Sequence, residues 1–321
     1  MLTKKIELYA DRQDVTLTTY VLDDSPELLN GKKRPAVLVC PGGGYIGCSD
    51  REAEPVALRF AAMGYHAFVL RYSTYSGGAL GEWPPTGDMP SNPRCVHPGP
   101  VRDIGKAFLT IGDHADDWLV DMNKIAICGF SAGGHNCAMY AVYWHDPLIC
   151  AFFDAMPERF KPAAAIIAYG LSDYHLMVRP AVNGREQEIR TIANRVFLGT
   201  ATPSQALLDS VSPALHVTEQ TPPTFVWATS EDTLVPVENS TRLAHALAQV
   251  GVPFEVHIFE KGKHGLSLAN LATAASRLDL DDDASRWIGL VDAWLQKRFA
   301  PDLPALPDWM AEGEGDAHLS H

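Results

Sequence analysis

Ten residues, Ile125 to Gly134, restrict what this chain can fold into more than any other stretch. Lys124 to Cys128 is a short apolar run that reads as a buried strand, and Ala132 to Trp144 has the small and apolar residues of a buried helix. The link between them is Gly129-Phe130-Ser131-Ala132-Gly133, a G-x-S-x-G turn. Its glycines let strand and helix approach so closely that one strained residue stands proud of the sheet with its hydroxyl exposed. Ser131 is therefore a candidate nucleophile. A bare G-x-S-x-G is also a common strand-to-helix connection, so the assignment depends on finding a base, an acid and oxyanion donors elsewhere.

Taken in order, the chain begins with two stretches of alternating apolar and polar residues, Lys5 to Ala10 and Val15 to Leu22, expected as strands near a sheet edge. Pro35 to Cys40 is continuously apolar, as a strand buried on both faces would be. Ser49-Asp50-Arg51-Glu52 has capping-box spacing and announces a helix to about Met63, with Pro55 marking the start of its regular part. His66 to Tyr72 is the next core strand, and strand, helix, strand at this spacing argues for a parallel sheet. Ser73 to Pro100 is a long loop rich in proline and glycine at the carboxyl end of that strand, where open sheets bind ligands. Val101 to Ile111 reads as a helix leading to the serine turn. Further strands are expected at Ala163 to Gly170, Thr224 to Thr229 and Phe254 to Phe259, and further helices at Val237 to Val250 and Trp287 to Phe299. The segment 172–219 is a mixed, plausibly helical insertion, a possible cap. Its Arg179, Arg185, Arg190 and Arg195 read as a solvated, salt-bridged surface, given Glu186, Glu188 and Asp209 nearby.

Composition removes several classes of function. A net charge of −13 with no lysine or arginine block argues against nucleic acid as a partner. The six cysteines lack ligand spacing, so no metal or redox site is expected, and they suit a reducing compartment. No stretch approaches a membrane span and the first residues lack a signal-peptide core, so a cytoplasmic protein is the expectation. The 46% apolar content is ample for one large core over residues 1–300, with 301–321 an acidic, proline-bearing tail. A homo-oligomer is compatible with all of this.

A serine hydroxyl needs a base to take its proton, and imidazole does so near neutral pH. Of the twelve histidines, His264 follows a strand in a glycine-flanked loop and comes late in the chain, whereas His135 and His257 lie within a helix and a strand. Asp232, at the carboxyl end of the strand Thr224 to Thr229, is best placed to orient the imidazole, with adjacent Glu231 as the alternative. The glycines of Pro41-Gly42-Gly43-Gly44-Tyr45 can turn backbone amides toward a developing oxyanion. Gly43 or Gly44 would supply one donor and the amide of Ala132 the other. Tyr45 and Trp83 are further candidates, for contact with substrate.

The chain also resembles a family. Pro-Gly-Gly-Gly-Tyr at 41–45, Ser-Asp-Arg-Glu-x-Glu-Pro at 49–55, Gly-Phe-Ser-Ala-Gly-Gly-His at 129–135 and His-Gly-Leu-Ser-Leu-Ala at 264–269 look like the esterase/lipase-type α/β-hydrolases. That group includes bacterial acetylxylan esterases and feruloyl-esterase-like enzymes. The resemblance spans about residues 35–299, and Pro41 stands where many lipases carry the histidine of an HGGG motif. It implies an α/β-hydrolase fold, a mostly parallel sheet with helices on both faces, and cofactor-free hydrolysis of short acyl esters, often acetyl groups on xylo-oligosaccharides. It places Ser131, Asp232 and His264 in the triad, and Gly43, Gly44 and Ala132 on the oxyanion side. A peptidase of the prolyl-oligopeptidase kind shares the triad order, and a non-catalytic ligand-binding protein could share the scaffold.

Overall fold

A computed structural model describes residues 1–78, 80, 92–300 and 303. Its strands are β1 (Lys5–Tyr9), β2 (Arg12–Tyr20), β3 (Arg34–Cys40), β4 (His66–Arg71), β5 (Val120–Phe130), β6 (Ala164–Ala168), β7 (Thr224–Thr229) and β8 (Phe254–Phe259). They form one sheet in the order β1-β2-β4-β3-β5-β6-β7-β8, antiparallel at β1-β2 and β2-β4 and parallel from there on. The helices are α1 (Glu54–Ala62), α2 (Gly99–Asp113), α3 (Ala132–Tyr143), α4 (Pro147–Phe153), α5 (Tyr174–Met177), α6 (Gly184–Leu198), α7 (Gln205–Ser210), α8 (Glu238–Gln249) and α9 (Trp287–Phe299). None of the described helices is long and apolar enough to cross a membrane.

Successive side chains of a strand point to opposite faces, and here each face is covered. Leu38, Ile127 and Val226 pack toward α2, α3 and α8, while Val39, Cys128 and Trp227 pack toward α1 and α9. Burial on both sides is why β3, β6 and β7 are continuously apolar and why the expectation of a mostly parallel, doubly covered sheet was legible. β5 begins before its apolar run because Asp121 to Asn123, part-buried or exposed, include two polar residues that interrupt the apolar signal. The tail 301–321 lies outside the described residues apart from Leu303, as do residues 79 and 81–91 of the long loop.

The carboxyl ends of β3, β5, β7 and β8 meet at one rim, and α3 crosses closely over the turn after β3 there. A Cβ added to Gly133 would collide with the carbonyl oxygens of Cys40 and Pro41. Gly133→Ala is therefore expected to cost about 3 kcal/mol through overpacking against backbone that cannot yield. A thermal melt would show this as a Tm several degrees lower, and an unchanged Tm would mean that the crossing is looser than described.

Candidate active site

Ser131 sits between β5 and α3 at φ 51°, ψ −118°, a left-handed conformation unusual for a residue with a side chain. The strain is held in place on both sides, by Ser131 N donating to the Ala168 carbonyl (3.0 Å) and His135 N donating to the Ser131 carbonyl (2.8 Å). Gly129 is required for a related reason, since a Cβ there would run into the Gly133 carbonyl and the Cys137 sulfur.

His264 arrives on the loop after β8, and its Nε2 lies 2.7 Å from Ser131 Oγ. Its Nδ1 lies 2.6 Å from Asp232 Oδ2. With the carboxylate as acceptor, Nδ1 carries the proton and Nε2 is left free to receive the serine's. Asp232 is almost fully buried, and its second oxygen accepts from Val235 N (2.9 Å). The alternative acid, Glu231, points elsewhere: it accepts from Gly262 N at 3.1 Å and so ties the loop after β7 to the loop after β8. Burial alone would lower the His264 pKa, but the charge and hydrogen bond of Asp232, aided by the charge of Glu52, raise it above its ordinary value.

The loop Pro41 to Tyr45 turns sharply, with Gly43 at φ 129°, Gly44 at φ 60° and Tyr45 at φ 60°. The amide of Gly42 is committed to Glu52 Oε2 at 2.7 Å. Gly43, Gly44 and Ala132 line one cavity of about 260 Å³ together with Ser131 and His264. Ala132 is the first residue of α3, so its amide has no acceptor within the helix and is available at the helix N-terminus. Both Gly43 and Gly44 remain on the wall, as the sequence reading left them.

Other expectations need correction. Ser49 caps nothing, and Asp50–Glu52 forms a single 3₁₀ turn before α1 begins at Glu54 with Pro55 in its first turn. The carboxylate of Glu52, read as a capping partner, is instead buried between the Gly42 amide and the Tyr169 hydroxyl, two donors that replace the water hydrogen bonds it loses on burial. Arg190 is not on a solvated surface. It is only 3% exposed and donates from Nε to the Leu234 carbonyl (2.9 Å) and from Nη2 to the Thr233 carbonyl (2.7 Å), clamping the chain just after Asp232. Ile189, Arg190, Ala193 and Asn194 lie on one side of α6 and face the cavity. The i, i+4 spacing of these four was the signal that could have found them.

Tyr45 contributes to the cavity wall, but its ring stacks on Phe197 at 4.1 Å and its hydroxyl is used inside the protein. His135 Nε2 donates to the Val211 carbonyl (2.8 Å), so its Nδ1 accepts from the Tyr45 hydroxyl (2.6 Å). Trp83 lies outside the described residues. Within the long loop, Leu80 does reach the cavity. His257 is on β8 beside Glu255 Oε1 at 2.9 Å, away from the site.

The buried histidines have a consequence for stability. Burial lowers the pKa of His135 to about 3, that of His97 to about 4 and that of His66 to about 4, all from 6.5. A group with a depressed folded pKa contributes stability that is present above its unfolded pKa and lost as pH falls toward the folded one. His264, with a raised pKa, works in the opposite direction but is one group against three. Tm is therefore expected to fall as pH drops below about 6.5. His135→Gln, whose amide can still donate to Val211 and accept from Tyr45, should flatten that fall, and an equally steep loss in the variant would count against this cause.

The BD-FAE family model matches residues 90–247. The chain is 35% identical over 275 residues to endo-1,4-beta-xylanase B of Butyrivibrio fibrisolvens, covering 84% of this chain and 37% of that protein. The crystal structure of MGS-M1, an alpha/beta hydrolase enzyme from a Medee basin deep-sea metagenome library, superimposes with a TM-score of 0.67 at 32% identity, covering 92% of this chain and 97% of that one. This chain belongs to the α/β-hydrolases. A second α/β-hydrolase neighbour is the acetyl ester-xyloside bifunctional hydrolase of Caldicellulosiruptor lactoaceticus, with a TM-score of 0.68, 29% identity and coverage of 92% and 96%. Among the curated relatives, this α/β-hydrolase spans between 37% and 58% of their own length.

Proposed function

We propose that this α/β-hydrolase is a serine esterase acting on short acyl esters, with acetylated carbohydrate, such as acetylated xylo-oligosaccharide, as its favoured substrate. The observation that carries the reading is the unbroken relay from Ser131 Oγ through His264 to Asp232, at 2.7 and 2.6 Å, beside the Gly43 and Gly44 turn. Ser131 attacks the ester carbonyl while His264 Nε2 takes its proton. The amides of Ala132 and of Gly43 or Gly44 receive the oxyanion, and the imidazolium then protonates the leaving alcohol. Water repeats the sequence on the acyl-serine and releases the acid, so no cofactor enters the cycle.

A small cavity whose wall includes Leu80, Leu171, Met177 and Leu234 supports a short acyl group. The likeness to a xylanase and to an acetyl ester-xyloside hydrolase supports a carbohydrate as the alcohol. We take residues 1–300 as one unit in which the 172–219 insertion, through α5 and α6, serves as the cap. The six cysteines, all free thiols, support a reducing compartment. Incubation with acetylated xylo-oligosaccharides, scored against butyryl, feruloyl and aminoacyl-anilide substrates, tests the reading. Acetate release is expected, and cleavage of the anilide with no ester turned over would replace the esterase by a peptidase.

A further inference from the structure

Glu52 is 4% exposed, and both of its oxygens are engaged. Oε2 accepts from Gly42 N and Oε1 accepts from the Tyr169 hydroxyl, each at 2.7 Å. That hydroxyl in turn accepts from Ser267 N at 2.9 Å, three residues beyond His264. The Tyr169 ring stands edge-on to the His264 imidazole, with centroids 5.2 Å apart. The neighbouring residue, Arg51, adds a parallel tie from Nη1 to the Gly265 carbonyl (3.0 Å), and its own carbonyl accepts from Ser267 Oγ (2.7 Å). The joined segments come from three places in the chain: the turn after β3, the residue after β6 and the loop after β8. Tyr169 and Ser267 both have positive φ, at 38° and 55°, so neither segment rests in a relaxed conformation of its own.

We propose that Glu52 is a positioning residue which, as a buried carboxylate, holds the glycine turn of the oxyanion side and the His264 loop in register with each other. A structural carboxylate could have been satisfied by either segment alone. This one gives one oxygen to the glycine turn and reaches the His264 loop with the other through the Tyr169 hydroxyl, so the distance between oxyanion donors and base is set by two buried side chains in series, Glu52 and Tyr169. The inference rests on the triad reading above but goes beyond it, since it gives a role to a residue outside the triad and the oxyanion amides.

Glu52 also faces His264 electrostatically. The charged groups that act on the imidazole are Asp232 and Glu52, which favour its protonated form, and Lys263, which opposes it while paired with Asp279 at 2.7 Å. Around Glu52 itself lie Arg51 and the thiols of Cys48 and Cys128. Removing the charge of Glu52 without changing its shape should therefore lower the imidazole's titration midpoint, whereas cutting the link at Tyr169 should not.

Two substitutions, Glu52→Gln and Tyr169→Phe, separate these effects. With p-nitrophenyl acetate, Glu52→Gln is expected to reduce kcat roughly tenfold or more, with KM little changed, because donors aligned on the transition state are disturbed rather than ground-state binding. The acidic limb of its kcat/KM profile should move down by roughly half a pH unit. Tyr169→Phe should lower kcat and leave that limb in place. The same midpoint is then read by ¹⁵N NMR titration of His264 in a Ser131→Ala background, where no turnover is needed. A wild-type chain that hydrolyses no ester would sink the esterase reading, and the titration would still decide the role of Glu52. An unchanged midpoint in Glu52→Gln overturns the proposal, as does an unchanged kcat where the wild type turns over.

Discussion

Ser131→Ala is expected to abolish ester turnover while leaving the fold intact, with kcat on an acetyl ester reduced by roughly four powers of ten or more. In the proposed reaction Ser131 Oγ is the atom that bonds to the acyl carbon, and among the described residues no other hydroxyl lies on His264 Nε2. What survives should be the modest acceleration that oriented amides give to attack by water. Stability should hold, because the serine side chain supplies no cap to α3 and alanine keeps the same Cβ, leaving the backbone at φ 51° as strained as before. Steady-state kinetics with a thermal melt of the same preparation makes the test. Turnover within tenfold of wild type would place the nucleophile elsewhere.

Asp232→Asn is expected to cost about three to four powers of ten in kcat. The substitution preserves shape, and the amide oxygen can still accept from Val235 N where Asp232 Oδ1 does now. The NH₂ group, however, would then face His264 Nδ1, where an acceptor is needed. It stabilises the tautomer with the proton on Nε2, which is unable to take one from the serine. The charge that raises the His264 pKa is lost as well, so the residual activity should show an acidic limb displaced downward. Glu231→Gln is the matching control: its carboxylate contacts Gly262 N and not the imidazole, so its effect should be far smaller. If the two variants were equally impaired, the acid would have to be reassigned.

How far the chain could be read depended on whether a residue's role was local. The strand-turn-helix at Ser131 announces itself because its glycines and apolar runs are neighbours in sequence, and the central strands β3, β6, β7 and the second half of β5 each carry a continuous apolar signal. His264 stands out by its glycine-flanked loop and Asp232 by its place after β7, and the fold brings both to Ser131 in a row of hydrogen bonds. Glu52 and Arg190 were misread for one shared reason. Each has a plausible local partner in sequence, a helix end in one case and neighbouring acids in the other, and in the fold each turns to a partner far along the chain. Pairwise spacing within a dozen residues carries no trace of contacts at separations such as the 117 residues between Glu52 and Tyr169.

The sequence by itself determined the sheet, the strained serine turn and the chain order of Ser131, Asp232 and His264, because these depend on backbone sterics and on burial patterns written within single elements. Only the tertiary structure decided which of two adjacent carboxylates meets the imidazole, that Tyr45 spends its hydroxyl on His135, that Arg190 binds the chain just after Asp232, and that Glu52 binds the glycine turn. Those outcomes turn on which segments the chain brings together on folding and on where their side chains point, and a hydrogen bond forms only where donor and acceptor meet within about 3.2 Å and in line.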